Sequence, residues 1–147
     1  MLRAYRTSDK LQLIKLLQLN TPTYFAASEQ EDFEEYLDKH SDNYYVIEVN
    51  EQIISCGGYN YDEDSTIGKL SWYIVHPNYQ GKGYGKQIVQ YCIKALKAQP
   101  SVKMISVRTS QLVYPFFEKL GFELKKVEKD YWAKGFDLYQ MELKQDH

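Results

Sequence analysis

The chain has 147 residues, of which 44% are apolar and 26% charged, and its formal charge is −2 at neutral pH. That length is expected to form one domain over residues 1–147, burying about two thirds of the surface its unfolded chain exposes. The mixed charges give no reason to expect a nucleic-acid partner, and with no apolar run approaching about 18 residues neither a membrane span nor a secretory leader is expected, which points to a cytoplasmic protein.

In chain order, Leu2 to Arg6 reads as a short first strand, and Ser8-Asp9 caps a helix with apolar positions at Leu11, Ile14 and Leu17, with Leu13 beside them. A second helix is expected from Ser28 to about Lys39, opened by a Ser28-x-x-Glu31 capping box, with Phe33 and Leu37 on one face. Tyr44 to Val49 and Ile53 to Tyr61 read as strands joined by a polar hairpin, and Asp62 to Thr66 as the next turn. Lys69 to Val75 is β-branched and aromatic enough for a buried strand, which Pro77 stops. Ile88, Cys92 and Leu96 recur every four residues, with Val89 and Ile93 beside them, so a helix comes next. Val102 to Thr109 is another buried strand, and the intervening helix makes this pair parallel. A further helix ends at Gly121, then Phe122 to Val127 and Phe136 to Leu143 complete the chain as strands separated by Trp132-Ala133-Lys134-Gly135. Cys56 and Cys92 fall at strand and helix core positions as buried free thiols, and the Cys and His are too far apart to show a metal-ligand spacing, so no metal is expected.

Between the Lys69–Val75 strand and the next helix lies His76-Pro77-Asn78-Tyr79-Gln80-Gly81-Lys82-Gly83-Tyr84-Gly85-Lys86. Three glycines in five residues let the backbone turn tightly, so that successive N–H groups can converge on an anion at a helix N-terminus. Two nucleotide motifs fail. Gly81 and Gly85 enclose three residues and Lys86 is followed by Gln87, which excludes the Walker form, and the glycine spacing G-x-G-x-G excludes the dinucleotide form.

Gln80-x-x-Gly83-x-Gly85 after Val75-His76-Pro77 resembles the pyrophosphate-binding signature of the GNAT superfamily of acyl-CoA-dependent N-acetyltransferases. Phe116-Phe117-Glu118-Lys119-Leu120-Gly121-Phe122 resembles its second hallmark, the F-Y-E-K-L-G-F helix and turn. The resemblance implies an α/β (α+β) fold: a mixed, mostly antiparallel central sheet of about seven strands with a parallel central pair, flanked by about four helices. It implies acetyl-CoA as co-substrate and transfer of the acetyl group to a primary amine of a small molecule or peptide, by direct attack in a ternary complex. A splay between the fourth and fifth strands would leave main-chain groups of Ile74 and Val75 for the pantetheine arm, and the backbone from Gln80 through Gly81, Lys82, Gly83, Tyr84, Gly85 and Lys86 would hold the pyrophosphate.

Two catalytic positions depart from the family. Its usual acid, a Tyr, is Phe117 here, and a frequent Asn six residues before the Phe of that motif is Ser110. Tyr114, one turn before Phe117, is the substitute acid to consider, against a structural ring and against no acid at all, since a thiol of pKa about 8.5 leaves tolerably unaided. The fourth strand carries no carboxylate, so the base is sought among Glu29, Glu31, Asp32, Asp62, Glu63, Asp64, His76 or water. These two departures raise the alternative of a non-catalytic acyl-CoA-binding module of the same fold. Tyr24, Phe25, Tyr131, Trp132 and Phe136 are expected on the acceptor side, although with 14 Tyr in the chain, core or homodimer packing competes for such rings.

Overall fold

In a computed structural model, which describes residues 1–145, the chain runs β1 (Leu2–Ala4), α1 (Lys10–Leu19), α2 (Glu29–Lys39), β2 (Tyr44–Val49), β3 (Gln52–Tyr61), β4 (Ile67–Val75), α3 (Tyr84–Lys97), β5 (Met104–Thr109), α4 (Tyr114–Lys119), β6 (Glu123–Ala133) and β7 (Phe136–Lys144). The strands form one sheet in the order β1-β2-β3-β4-β5-β7-β6. Every neighbouring pair is antiparallel except β4 and β5, the parallel pair that α3 connects.

Each face of the sheet has its own core. On one face α3 and α4 bury Ile88, Val89, Cys92, Leu96 and Phe117 against Ile54, Ile105, Val107 and Met141. On the other, Leu13, Leu16 and Leu17 of α1 and Phe33, Tyr36 and Leu37 of α2 pack on Tyr44, Val46, Ile53, Cys56 and Ile74, all of which belong to β2, β3 or β4. On that second face the β5, β7 and β6 half of the sheet is therefore left open.

Local chemistry departs from the sequence-based expectation in several places. A 3-10 turn at Thr7–Asp9 precedes α1 and rotates the helix, so Leu13, Leu16 and Leu17 face inward while Leu11 is 75% exposed. Asp9 makes no side-chain cap of α1; its carboxylate instead accepts the Arg6 N–H at 2.9 Å across the 3-10 turn and is buried under a two-pronged ion pair with Arg3 at 2.8 and 3.0 Å. Ser28 likewise makes no side-chain cap, and the reach-back bond runs instead from the Ala26 N–H to Glu29 Oε2 at 2.8 Å. The strand β6 extends to Ala133, so Trp132 lies in the strand and the turn shrinks to Lys134 and Gly135. Cys56 and Cys92 are buried free thiols as expected, pushed up to about 12 and about 11 by desolvation.

A bulge in β4 resets the register of that strand toward its C-terminal end. Cys56 pairs with Ile74 and Gly58 with Ser71, so Gly57 alone faces both Trp72 and Tyr73. Trp72 takes up the extra residue at φ 52°, and the Tyr73 ring lies where any Cβ on Gly57 would sit, 2.3 Å from Cδ1. Glycine is required there by contact rather than by dihedral.

Candidate active site

The strands β4 and β5 pair only from Ile67–Leu70 to Met104–Val107. Beyond that point Ser71–Val75 and Arg108–Thr109 diverge, and the wedge between them opens into two cavities. The larger, of about 680 Å³, lies on the open sheet face and is lined among others by Glu29, Ser71, Ser106, Arg108, Ser110 and Trp132. The smaller, of about 340 Å³, runs beside Ile74 and Val75 to Gln80, Gly83, Gly85 and Lys86 at the start of α3. Tyr24, Phe25, Tyr73 and Val113 line both, so the two meet at the wedge. Phe25 is held there by stacking on the Trp72 ring, 6.1 Å away and 18° from parallel.

The glycine loop turns on two left-handed residues at the start of α3. Gly81 and Gly83 have φ of 77° and 88°, a left-handed backbone that side chains with a Cβ rarely adopt, and a Cβ at either would meet nothing within 4 Å. The loop is thus open outward, and Gly83 is the N-cap of the 14-residue α3. Its carbonyl accepts the Gln87 N–H at 3.0 Å, leaving the N–H groups of Tyr84, Gly85 and Lys86 in the first turn, where no intrahelical partner exists. At Gly85 a Cβ would press on Val75 Cγ2 at 3.1 Å, so the glycine lets α3 begin against the end of β4.

The expected main-chain ligands on β4 divide. His76 N–H donates to Ile54 O at 2.7 Å, so the antiparallel ladder also turns Ile74 toward β3 and Val75 away from it. Ile74 is corrected on that ground: its backbone serves β3, and only Val75 faces the wedge. Even there the Val75 carbonyl is occupied, accepting Asn20 Nδ2 and Gln80 Nε2, each at 3.1 Å. Gln80 also bonds Asn20 Oδ1 at 2.9 Å, and Asn20, 2% exposed, donates to Leu16 O. The Gln80 amide is therefore a clamp tying the loop to α1 and β4 rather than a free ligand. Sequence reasoning misses Asn20, whose only signal is a polar residue closing an apolar helix. Lys82 lines neither cavity and has its Nζ 5.6 Å from the Tyr79 ring centroid, whereas Lys86 lines the smaller cavity.

Around the larger cavity the candidate acids and bases sort by position. Tyr114 lines neither cavity; its ring packs on Tyr139 at 4.7 Å, on the α4 side of β7, because Pro115 and Phe116 take the positions facing the smaller cavity. Phe117 lines the larger cavity and is buried. Ser110 is there too, its Oγ accepting the Leu112 N–H at 3.2 Å. The Tyr73 hydroxyl is committed to Gly58 O at 2.8 Å, and burial pushes its pKa well up. Of the carboxylates considered from sequence, Glu29 lines the cavity and is 8% exposed. Burial holds its carboxyl above the ordinary range despite the Ala26 N–H. Asp62 is consumed by Thr66 N, Thr66 Oγ1 and Ile67 N, Glu31, Asp32, Glu63 and Asp64 are exposed and line neither cavity, and His76 Nδ1 accepts the Asn78 N–H. Tyr24, Phe25, Tyr131, Trp132 and Phe136 line the larger cavity where the aromatic side was expected.

A model of the Acetyltransferase (GNAT) family matches residues 13–122. An N-alpha-acetyltransferase of Sulfurisphaera tokodaii is 29% identical over 95% of this chain and 90% of its own. An amino-acid acetyltransferase of Pseudomonas fluorescens is 30% identical over 65% of this chain, which is 22% of that protein. Among solved structures, an aminoglycoside 6'-N-acetyltransferase complexed with coenzyme A superposes with a TM-score of 0.77 at 17% identity, covering 98% of this chain and 96% of that one. With the family model spanning both hallmark motifs and the wedge between β4 and β5, the chain belongs to the GNAT family of acetyltransferases.

Proposed function

We propose that this acetyltransferase moves the acetyl group of acetyl-CoA directly to a primary amine of a small molecule or peptide, both substrates being bound together. The observation that carries the reading is the meeting of the two cavities at Tyr73 and Val113, with a helix N-terminus at one end and a buried carboxylate in the other. When bound, acetyl-CoA supplies a thioester carbonyl carbon as the electrophile. The N–H groups of Tyr84, Gly85 and Lys86 hold its pyrophosphate, Lys86 adds charge, and the Val75 N–H faces the pantetheine arm.

The remaining tasks fall to the larger cavity. Glu29 takes the proton that an incoming ammonium must lose, its burial raising its basicity toward working pH. Ser110, whose oxygen already accepts from Leu112, can give its hydroxyl proton into the cavity. Phe117 has no proton to give, and a thiolate of pKa about 8.5 leaves without one. Both cysteines are buried and held as thiols, which favours direct attack over an acyl-enzyme. The N-alpha-acetyltransferase among the relatives favours an α-amine as acceptor.

The test is thiol release from acetyl-CoA across a panel of amino acids, peptides with free N-termini and simple amines, with calorimetry of acetyl-CoA alongside. Amine-dependent release supports transfer. Tight binding without release for any amine would leave a non-catalytic acyl-CoA-binding module, and no binding would overturn the reading.

A further inference from the structure

One cation on the wall of the larger cavity is placed as if for an anion. Arg108 stands on β5 just past its last pairing with β4, opposite Gln140 of β7, and its side chain lines the cavity. The guanidinium carbon is 4.9 Å from the Tyr131 ring centroid and 5.5 Å from that of Trp132, and the guanidinium donates to the Tyr131 hydroxyl. Trp132 is itself fixed, its Nε1–H bonded to Thr109 O at 3.2 Å. Two rings thus hold one planar fork in a set orientation, which lowers the ordering cost of a two-pronged bond.

What the fork lacks is an acid. Among the ion pairs of the described residues Arg108 appears in none, although Glu128 and Glu142 line the same cavity. Glu128 is 3.8 Å from Lys126 instead. A guanidinium held beside two rings by the Tyr131 hydroxyl, with its other N–H groups in no ion pair, matches the oxygens of a carboxylate better than any neutral group. Glu29 lines the same cavity from α2. A cavity of about 680 Å³ with a buried carboxylate from the helix side and a forked cation on the sheet side accommodates a small molecule carrying both charges.

Resting on the transferase reading above, we propose that Arg108 selects acceptors that carry a carboxylate, binding it while the acceptor's amine is directed to the wedge. The carboxylate belongs either to a free amino acid or to an acidic side chain near a peptide N-terminus, and substrate pairs separate the two sources. One pair is an amino acid and its amide; the other is a peptide with an acidic second residue and the same peptide with its amide isostere.

The experiment compares parent, Arg108→Gln and Arg108→Lys on both pairs, reading KM and kcat separately, with calorimetric titration of the carboxylate acceptors into each protein in the presence of CoA. In the parent, the carboxylate member of one pair is expected to win by about tenfold or more in kcat/KM, chiefly through KM. In Arg108→Gln that ratio falls to near one and the calorimetric affinity drops by the same factor; Arg108→Lys recovers part of it, since an ammonium keeps charge without the fork. Equal use of both members of each pair by the parent, or an undiminished preference in Arg108→Gln, overturns the assignment. If acetyl-CoA binds and neutral amines are turned over without preference, only this inference fails; if acetyl-CoA does not bind, the transferase reading fails, and calorimetry of the carboxylate acceptors alone still decides Arg108.

Discussion

Replacing Glu29 by Gln separates a base from a structural carboxylate, because the amide oxygen can still accept the Ala26 N–H that Glu29 Oε2 now accepts at 2.8 Å. Shape, burial and that bond persist; basicity does not. A positioned base contributes about 10²–10⁴ to a proton-transfer step, and an α-ammonium of pKa about 8 is only about one tenth neutral at pH 7. The expected loss in kcat/KM is therefore about 10²-fold at pH 7, shrinking to about tenfold or less at pH 9, where the acceptor has already lost its proton. Stability moves the other way. Burial raises the folded carboxyl of Glu29 above its unfolded value, so the folded state holds the proton more tightly, and this contribution is present below about pH 4.5 and is lost as pH rises through the folded value. Glu29→Gln removes that loss, and its melting temperature at pH 8 should equal or exceed the parent's. The assay is the pH profile of kcat/KM from thiol release, with thermal unfolding at the same pH values. Parent and variant profiles that superpose within twofold would remove Glu29 from the mechanism.

Asp9→Asn should cost about 3 kcal/mol by leaving the Arg3 guanidinium against a neutral, buried partner, read as a lower urea midpoint. The hydrogen bond from Arg3 holds the Asp9 carboxyl below the usual range, so its contribution stands above the unfolded pKa and fades as pH falls through the folded one; the variant should lack that part of the acid-side decline. Tyr114→Phe removes a hydroxyl that faces neither cavity, and turnover should stay within about twofold; a fall of about 10² would put that hydroxyl in the chemistry. Asn20→Ala breaks the clamp between α1, β4 and the glycine loop, with an expected cost of about 1–3 kcal/mol in stability and a weaker affinity for acetyl-CoA by calorimetry, while unchanged affinity would make the clamp purely structural.

The parts of the site legible from sequence are those specified by local rules. Gly81 and Gly83 announce a left-handed loop, and the Ile88, Cys92, Leu96 stripe announces the helix after it. The parallel pairing of β4 with β5 is implied by the single helix between them. What local rules miss is set by contacts across the fold. The 3-10 turn at Thr7–Asp9 changes the phase of α1, and no periodicity within Lys10–Leu19 distinguishes Leu11 from Leu13 as the buried position. The β4 bulge depends on Gly57 in a neighbouring strand, and it determines the register that turns Val75 rather than Ile74 to the wedge. Among six acidic candidates for the base, burial against the open sheet face singles out Glu29, and burial is a property of the folded chain. Tyr114 is turned away from the wedge for a similar reason: helical spacing puts it a turn from Phe117, yet Tyr139 holds its ring on the other side of the sheet.

The central claim is that the α3 N-terminus and its glycines hold the pyrophosphate of acetyl-CoA, and calorimetric titration of acetyl-CoA into the parent, Gly83→Asn and Gly83→Val tests it most directly. Asn tolerates the left-handed backbone at φ 88°, whereas Val is strained there by about 1–3 kcal/mol and puts a branched side chain into the open space above the loop. Affinity is predicted to fall by about tenfold or more for Val and by less for Asn, with cooperative unfolding kept in both. Affinity for acetyl-CoA in Gly83→Val equal to that of the parent would contradict the account.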